Sequence, residues 1–270
     1  MLRICVLLAG LVLGVMTAGA DQYWIAYEGT VYPWEQGWER IVQAGGADLS
    51  FEEVPEGDQA LVINSLASPS ICDSYYKYLP SLPSPGEVFR MDWRLRVDNV
   101  VGFADPGIAA LLGPSGEVVL EYRADAGIYS LYECYPIAAY TMGKFQWYSV
   151  VLGDVDAYTL YIDGEMVHEG PLLGPSDVSY AQWGDLVTGA ASLAAWDYVG
   201  FGVVRGPQTG DVNCDGTVDF RDINPFVQAL ADGNGYRDTY PGCWPENADI
   251  NSDGSVDFGD INPFIELLTS

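Results

Sequence analysis

One twelve-residue pattern occurs twice near the C-terminus, with every distinctive position repeated 38 residues later. The first copy carries Asp211, Asn213, Asp215, Gly216, Thr217, Asp219 and Asp222 at positions 1, 3, 5, 6, 7, 9 and 12. The second carries Asp249, Asn251, Asp253, Gly254, Ser255, Asp257 and Asp260 at the same positions. Calcium takes about 6–8 oxygens, and a twelve-residue loop supplies them from positions 1, 3, 5, 7, 9 and 12, with glycine at 6 for the sharp turn. Position 7 needs only a main-chain carbonyl, so Thr217 and Ser255 serve. One such cluster would read equally well as a turn built from Asp, Asn and Gly. The duplication points instead to two calcium ions. Each loop gathers four carboxylates that repel one another without a cation, so the segment is expected to lose its order when stripped of metal.

An apolar face follows each loop. Ile223, Phe226, Val227 and Leu230 lie at i, i+3, i+4 and i+7, and Ile261, Phe264, Ile265 and Leu268 repeat the spacing, which predicts one helix after each loop. Asp222 and Asp260 can cap these helices, and Pro225 and Pro263 fall in the first turn, where a missing N–H is harmless. No entering helix precedes the first loop. Residues 211–270 therefore read as a small α-helical calcium-loop module whose two helices pack on each other.

This loop–helix duplication, with Asp at position 12 and no entering helix, resembles the type I dockerin domain, over about residues 210–269. The resemblance implies calcium binding and attachment to a cohesin-like or cell-surface protein in an extracellular polysaccharide-degrading system. Partner choice in that family leans on positions 10 and 11, often a small hydroxyl pair. Here they are Phe220-Arg221 and Phe258-Gly259.

The other end of the chain addresses the compartment. Arg3, an apolar run from Ile4 to Val15, and Ala18-Gly19-Ala20 before Asp21 read as a secretory signal peptide over residues 1–20. The run is short for a membrane span, and no later stretch reaches that length, so no membrane insertion is expected after cleavage. The formal charge is −27, which disfavours nucleic acid and anionic membranes as partners. Four cysteines lie beyond the leader, an even number suited to an oxidising compartment. Three pairings are open. Cys72–Cys134 and Cys214–Cys243 are expected, since loop position 4, where Cys214 sits, supplies no metal ligand. Free buried thiols are the alternative.

Residues 21–205 read as β throughout, with residues 206–210 as a linker. Short runs rich in Val, Ile, Tyr, Phe and Trp alternate with Gly, Pro, Asp and Ser. Ten strands are predicted: 23–27, 49–53, 60–64, 88–97, 108–112, 118–123, 128–133, 146–152, 158–162 and 198–204. Met91 to Val97 alternates apolar and polar, as a strand with one wet face does. Asp163-Gly164 predicts a hairpin and Pro114-Ser115-Gly116 another turn. Ten strands with short turns fit a two-sheet antiparallel jelly-roll sandwich. The runs Trp147–Leu152, Tyr158–Gly164 and Trp196–Gly202 resemble the closing strands of a concanavalin A-like, laminin-G or pentraxin-type jelly roll. That resemblance implies a fold that often binds glycans.

Catalysis has little to stand on. Glycosidases need two facing carboxylates, and the Glu-x-Asp-x-x-Glu run of the superfamily's β-glucan hydrolases is absent. Glu117 and Glu121 share one strand face, where solvation is the expected role. His168 is the only histidine, so a Ser–His–Asp triad would depend on it alone. Trp24, Trp34, Trp38, Trp147, Trp183 and Tyr140 are rings of the kind that stack on sugars, although most belong in a core. The reading is a secreted, non-catalytic, calcium-binding protein whose sandwich binds extracellular carbohydrate and whose module mediates attachment. A polysaccharide hydrolase or lyase and a structural surface protein are the alternatives.

Overall fold

The computed structural model describes residues 3–4, 23–43, 45–54, 59–67, 72–79, 82–83, 87–102, 106–112, 116–133, 135–152, 157–174, 179–240 and 242–269. The expected signal peptide, apart from Arg3–Ile4, lies outside them, as do Cys134 and the Pro114-Ser115 turn. The chain is mainly β. Two antiparallel sheets face each other, and short helices follow at the C-terminal end. Among the described residues no helix is long and apolar enough to cross a membrane.

One sheet is built on two fifteen-residue strands, Glu87–Val101 and Ala191–Arg205, paired along most of their length. Gln146–Leu152, Ala157–Ile162 and Glu165–Pro171 extend it on one side. On the other side Gln59–Asn64, Asp48–Glu53 and Tyr23–Glu28 complete eight strands. The second sheet runs Pro136–Ala139, Gly127–Ser130, Glu117–Tyr122, Gly107–Leu112, Ser179–Asp185, Cys72–Tyr78, Glu39–Gln43. Alternate residues of both sheets meet in one core around Trp93, Trp183, Trp196, Tyr27, Tyr75, Tyr122 and Phe201.

All ten predicted strands form, most of them one to several residues longer than read. Glu39–Gln43, Cys72–Tyr78, Pro136–Ala139, Glu165–Pro171 and Ser179–Asp185 went unpredicted. The hairpin at Asp163-Gly164 is present, with φ of 51° and 90°.

The wet face read into Met91–Val97 reaches solvent only at Arg96, which is half-buried. Arg90, Asp92 and Arg94 alternate with the core residues of their strand, yet all three are buried. The C-terminal segment covers Arg90 and its partner Asp92, while Arg94 pairs with Asp197 Oδ2 at 2.7 Å and packs on the Phe145 ring. Arg90 donates from Nε to Asp92 Oδ1 at 2.7 Å and from Nη1 to the Cys243 carbonyl at 3.0 Å. Its guanidinium also lies 4.6 Å from the centre of the Trp244 ring. Trp244 Nε1 donates to the Arg205 carbonyl at 2.6 Å. On the same face Trp24 Nε1 donates to Tyr198 Oη, and a Cβ on Gly200 would come within 2.4 Å of that hydroxyl oxygen, so a glycine is required there. Residues 206–210 are tied down too, through Gln208 and Gly210 N–H groups on Asn247.

Three helices, α1 (Ile223–Ala231), α2 (Gly233–Thr239) and α3 (Ile261–Thr269), make up the end of the chain. α1 and α3 stand where the apolar spacing puts them, and their Phe226 and Phe264 rings stack 4.3 Å apart. α2 had no signal in the periodicity. Only part of each predicted apolar face is buried: Ile223, Val227 and Ile265 are exposed. The expected caps also differ. Asp222 makes no side-chain cap bond to α1, and Asp219 and Asp257 instead accept from the Arg221 and Gly259 N–H groups, capping the short 3-10 turns before α1 and α3. Cys214 and Cys243 form a disulfide, Cα atoms 5.7 Å apart, as expected. Cys72 is also disulfide-bonded.

Candidate functional site

Two regions collect functional chemistry: the paired loops and the outer face of the seven-stranded sheet. In each loop the residue at position 12 is the anchor. Asp222 Oδ1 accepts from Asn213 N–H at 2.9 Å and Oδ2 from Asp219 N–H at 2.9 Å. Asp260 repeats this with Asn251 N–H at 3.0 Å and Asp257 N–H at 2.9 Å. Both carboxylates are fully buried. Asp211 and Asp249 each accept from the glycine at position 6, while Asn213 and Asn251 accept from Asp215 and Asp253 N–H. Asp215 and Asp253 in turn accept from Thr217 and Ser255 N–H. The turns need left-handed backbone at matching places, with φ of 56° and 88° at Cys214 and Gly216, and 59° and 90° at Ser252 and Gly254.

The donor set fits a calcium ion in one specific respect. Asp211 is buried, yet its Oδ1 has no hydrogen-bond partner. Burial raises its pKa, the Gly216 N–H offsets this in part, and Asp222 and Asp215 raise it further. A hard cation would supply what that oxygen lacks. Among the described residues no three His, Cys, Asp or Glu side chains converge as a metal-binding group. A loop of this kind draws part of its oxygens from Asn and main-chain carbonyls. In the first loop Arg221 also reaches Asp215 at 3.3 Å and supplies positive charge from the protein itself. The repeat-related Phe220 and Phe258, at position 10 of each loop, are 71% and 82% exposed.

The outer face of the seven-stranded sheet follows from register. Tyr75, Ala181, Trp183, Ile108, Ala110, Val118 and Leu120 point into the core, so their neighbours point out. Residues on that side include Tyr76, Tyr78, Tyr180, Gln182, Ala109, Val119, Glu117, Glu121 and Tyr129, of which Tyr78 is exposed, Glu117 half-buried and the others buried. Tyr76, Tyr78 and Tyr180 meet edge-on, with ring centres 5.6 to 6.4 Å apart. Tyr76 Oη donates to Glu39, and Gln182 Nε2 donates to Ser74 Oγ at 2.8 Å. The Tyr180 hydroxyl is buried without a partner.

Glu117 and Glu121 sit on this face together, as their spacing predicts, but the solvated role expected of them fails at Glu121. It is 1% exposed, and neither carboxylate oxygen has a hydrogen-bond partner. Its nearest cation is Arg123, at 3.5 Å, and that guanidinium lies 3.8 Å over the Tyr129 ring. Burial pushes the Glu121 carboxyl above the usual range, with Arg123 only partly opposing, and burial raises Glu117 as well.

The ring candidates read from sequence divide differently. Trp38, Trp147, Trp183 and Tyr140 are buried, Trp24 packs under the C-terminal segment, and only Trp34 is exposed, stacked 4.5 Å from Tyr32. The tyrosines of the outer face carried no motif. Their alternation within Cys72–Tyr78 and Ser179–Asp185 was the available signal, obscured by the polar residues between them. His168 is not incidental. Its Nε2 lies 3.0 Å from both oxygens of Glu133, which also accepts from Tyr158 and Tyr135.

No protein-family model matches the chain, and no curated protein matches it. Among solved structures, a carbohydrate esterase from the Shiga toxin-encoding bacteriophage phi24B is similar at 14% identity and a TM-score of 0.48, over 68% of this chain and 99% of that one. The cellulose-induced protein Cip1 is similar at 12% identity and 0.44, over 66% and 96%. A Trypanosoma rangeli sialidase is similar at 16% identity and 0.38, over 60% of this chain and 30% of the sialidase. At such scores these likenesses carry no functional inference.

Proposed function

We propose that this is a secreted carbohydrate-binding protein of jelly-roll type that holds its ligand on the outer face of the seven-stranded sheet. The observation that supports this is Tyr78, exposed on that face with its ring edge-on to the buried Tyr76 and Tyr180, beside the carboxylates of Glu39 and Glu117. A tyrosine ring offers flat apolar area and a polar tip, and the accessible Glu39 and Glu117 carboxylates can read hydroxyl groups. Part of the other outer face, around Arg90, Trp24 and Trp147, is covered by the C-terminal segment. That segment is a dockerin-like module binding two calcium ions, one held by Asp211, Asn213, Asp215, Thr217, Asp219 and Asp222, the other by Asp249, Asn251, Asp253, Ser255, Asp257 and Asp260. Calcium there would offset carboxylate repulsion and fix the loops. The exposed Phe220 and Phe258 favour attachment to a protein partner through this module.

The test is retention of the full chain on insoluble polysaccharides, with reducing ends and unsaturated products measured in the same samples. Retention without new products, lost in Tyr78→Ala, supports binding. Retention equal in wild type and Tyr78→Ala removes the sheet face from the account. A second reading, a hydrolase or lyase, is favoured by Glu121, a buried carboxylate with a raised pKa on the same strand face as Glu117. Product release that vanishes in Glu121→Gln would establish it.

A further inference from the structure

The two loops share the same anchoring hydrogen bonds to position 12, but the rest of the chain holds only the first. Asp211 and Val212 are buried, and their carbonyls accept from Asn247 Nδ2 and Tyr236 Oη, both at 2.7 Å. Cys214, at position 4, is tied to Cys243 by the disulfide. Two guanidiniums also reach this loop. Arg221 lies 3.3 Å from Asp215 and 3.8 Å from Asp219. Arg205 packs so closely on Gly216 that a Cβ there would collide with its Nη1.

The second loop has no such supports among the described residues. Asp249 and Ile250 are half-buried where Asp211 and Val212 are buried, and residues 251–255 and 257–259 are exposed. Position 4 is Ser252, position 11 is Gly259, and a Cβ on Gly254 would meet nothing within 4 Å. Among the described residues, the side-chain hydrogen bonds of residues 249–260 all stay inside the loop, and no Lys or Arg pairs with its carboxylates.

An exposed ion pair such as Arg221–Asp215 holds little by itself. A cross-link and buried, hydrogen-bonded carbonyls resist opening far more, so they keep the first loop in place, and the two guanidiniums relieve the carboxylate repulsion there. Asp211 Oδ1 still lacks a partner, so the first loop keeps a place for the ion. In the second loop only an ion can offset the charge, and ordering is coupled to binding.

We propose, resting on the two-calcium reading above, that the loops are not equivalent. The first is a structural loop that the fold holds in shape without the ion, with Arg221 supplying part of the ion's charge. The second is the calcium-responsive loop, whose release frees α3 while α1 stays docked.

The test is hydrogen exchange of the full chain, disulfides intact, read by mass spectrometry in excess calcium and in excess EGTA, with calcium stoichiometry from native mass spectrometry. The reporters are matched: the Asn213 and Asp219 amides bonded to Asp222, and the Asn251 and Asp257 amides bonded to Asp260. Peptides spanning 249–260 are expected to exchange about tenfold faster in EGTA, and those spanning 211–222 to change by less than about twofold. Isothermal titration of Arg221→Gly with calcium should show one of the two binding events tightened by about threefold to tenfold, because a competing cation is gone. Equal acceleration of both peptides, or a larger one in 211–222, with two ions bound, overturns the non-equivalence and leaves the calcium reading standing. No bound calcium, with neither peptide responding to EGTA, overturns both. Calcium affinities unchanged in Arg221→Gly overturn the role given to that guanidinium.

Discussion

At Glu121 a buried carboxylate with no hydrogen-bond partner among the described residues lies 3.5 Å from Arg123. Its raised pKa means that the folded chain holds the proton more tightly than the unfolded chain does. As the pH rises past the ordinary carboxylate pKa, the unfolded chain ionises first, and stability falls through the raised folded value. Glu121→Gln is therefore expected to stabilise the chain at pH 7, by on the order of 1 kcal/mol. The gain should shrink toward pH 4, and thermal unfolding at the two pH values reads it directly. The sequence shows that Glu117 and Glu121 share a face, because a strand has a period of two. It does not show the burial, because that depends on pairing: register sets Glu121 between Gly107 and Tyr129, with Arg123 close by. Phe226 was more legible, since the helical spacing marks it as core. Removing its ring contact with Phe264 through Phe226→Ala should cost about 3 kcal/mol, measured by urea unfolding.

Among the elements, those with strong local signals were readable and those held by their neighbours were not. The Asp163-Gly164 hairpin and the two helices after the loops carry their own instructions in positive φ and apolar spacing. Cys72–Tyr78 and Ser179–Asp185 contain Asp73, Ser74, Lys77, Gln182 and Asp185, and they become strands because each is paired on both edges. The strand Glu165–Pro171 is fastened through His168 to Glu133 in the segment after Gly127–Ser130, which links the two sheets. Burial pushes the Glu133 carboxyl up, but hydrogen bonds from Tyr158, Tyr135 and His168 outweigh it and hold it below the usual range. Its contribution is present above the unfolded carboxylate pKa and is lost as the pH falls through the depressed folded value. Glu133→Gln should cost about 1–3 kcal/mol at pH 7, with the difference closing under acid conditions. For the loops, chelation is expected to reduce the helical far-UV dichroism of the full chain, and recovery should follow calcium addition. A spectrum indifferent to chelator would remove calcium from the account.

On the scale of the molecule, the decisive feature is the burial of Arg90, with its partner Asp92, beneath the C-terminal segment. Alternation along Met91–Val97 gave their direction correctly and their solvation wrongly. The covering residues, Cys243 and Trp244, lie some 150 positions away between the two loop repeats, in a stretch with no periodicity. Arg90→Ala leaves Asp92 buried without its charge partner, and should cost about 3–5 kcal/mol. The same change should open residues 206–210 to limited proteolysis, and equal cleavage of wild type and variant would mean that the docking does not depend on Arg90.

A docked module also changes how several copies would act together. Where a flexible tether joins a ligand-binding part to an attachment part, avidity follows the tether's reach. Here the span between Phe258 and Tyr78 is set by the fold itself, with no slack to take up. In an array of such molecules, gain from simultaneous engagement would depend on how each copy is oriented on its support, and a small tilt would forfeit what a longer linker would have recovered.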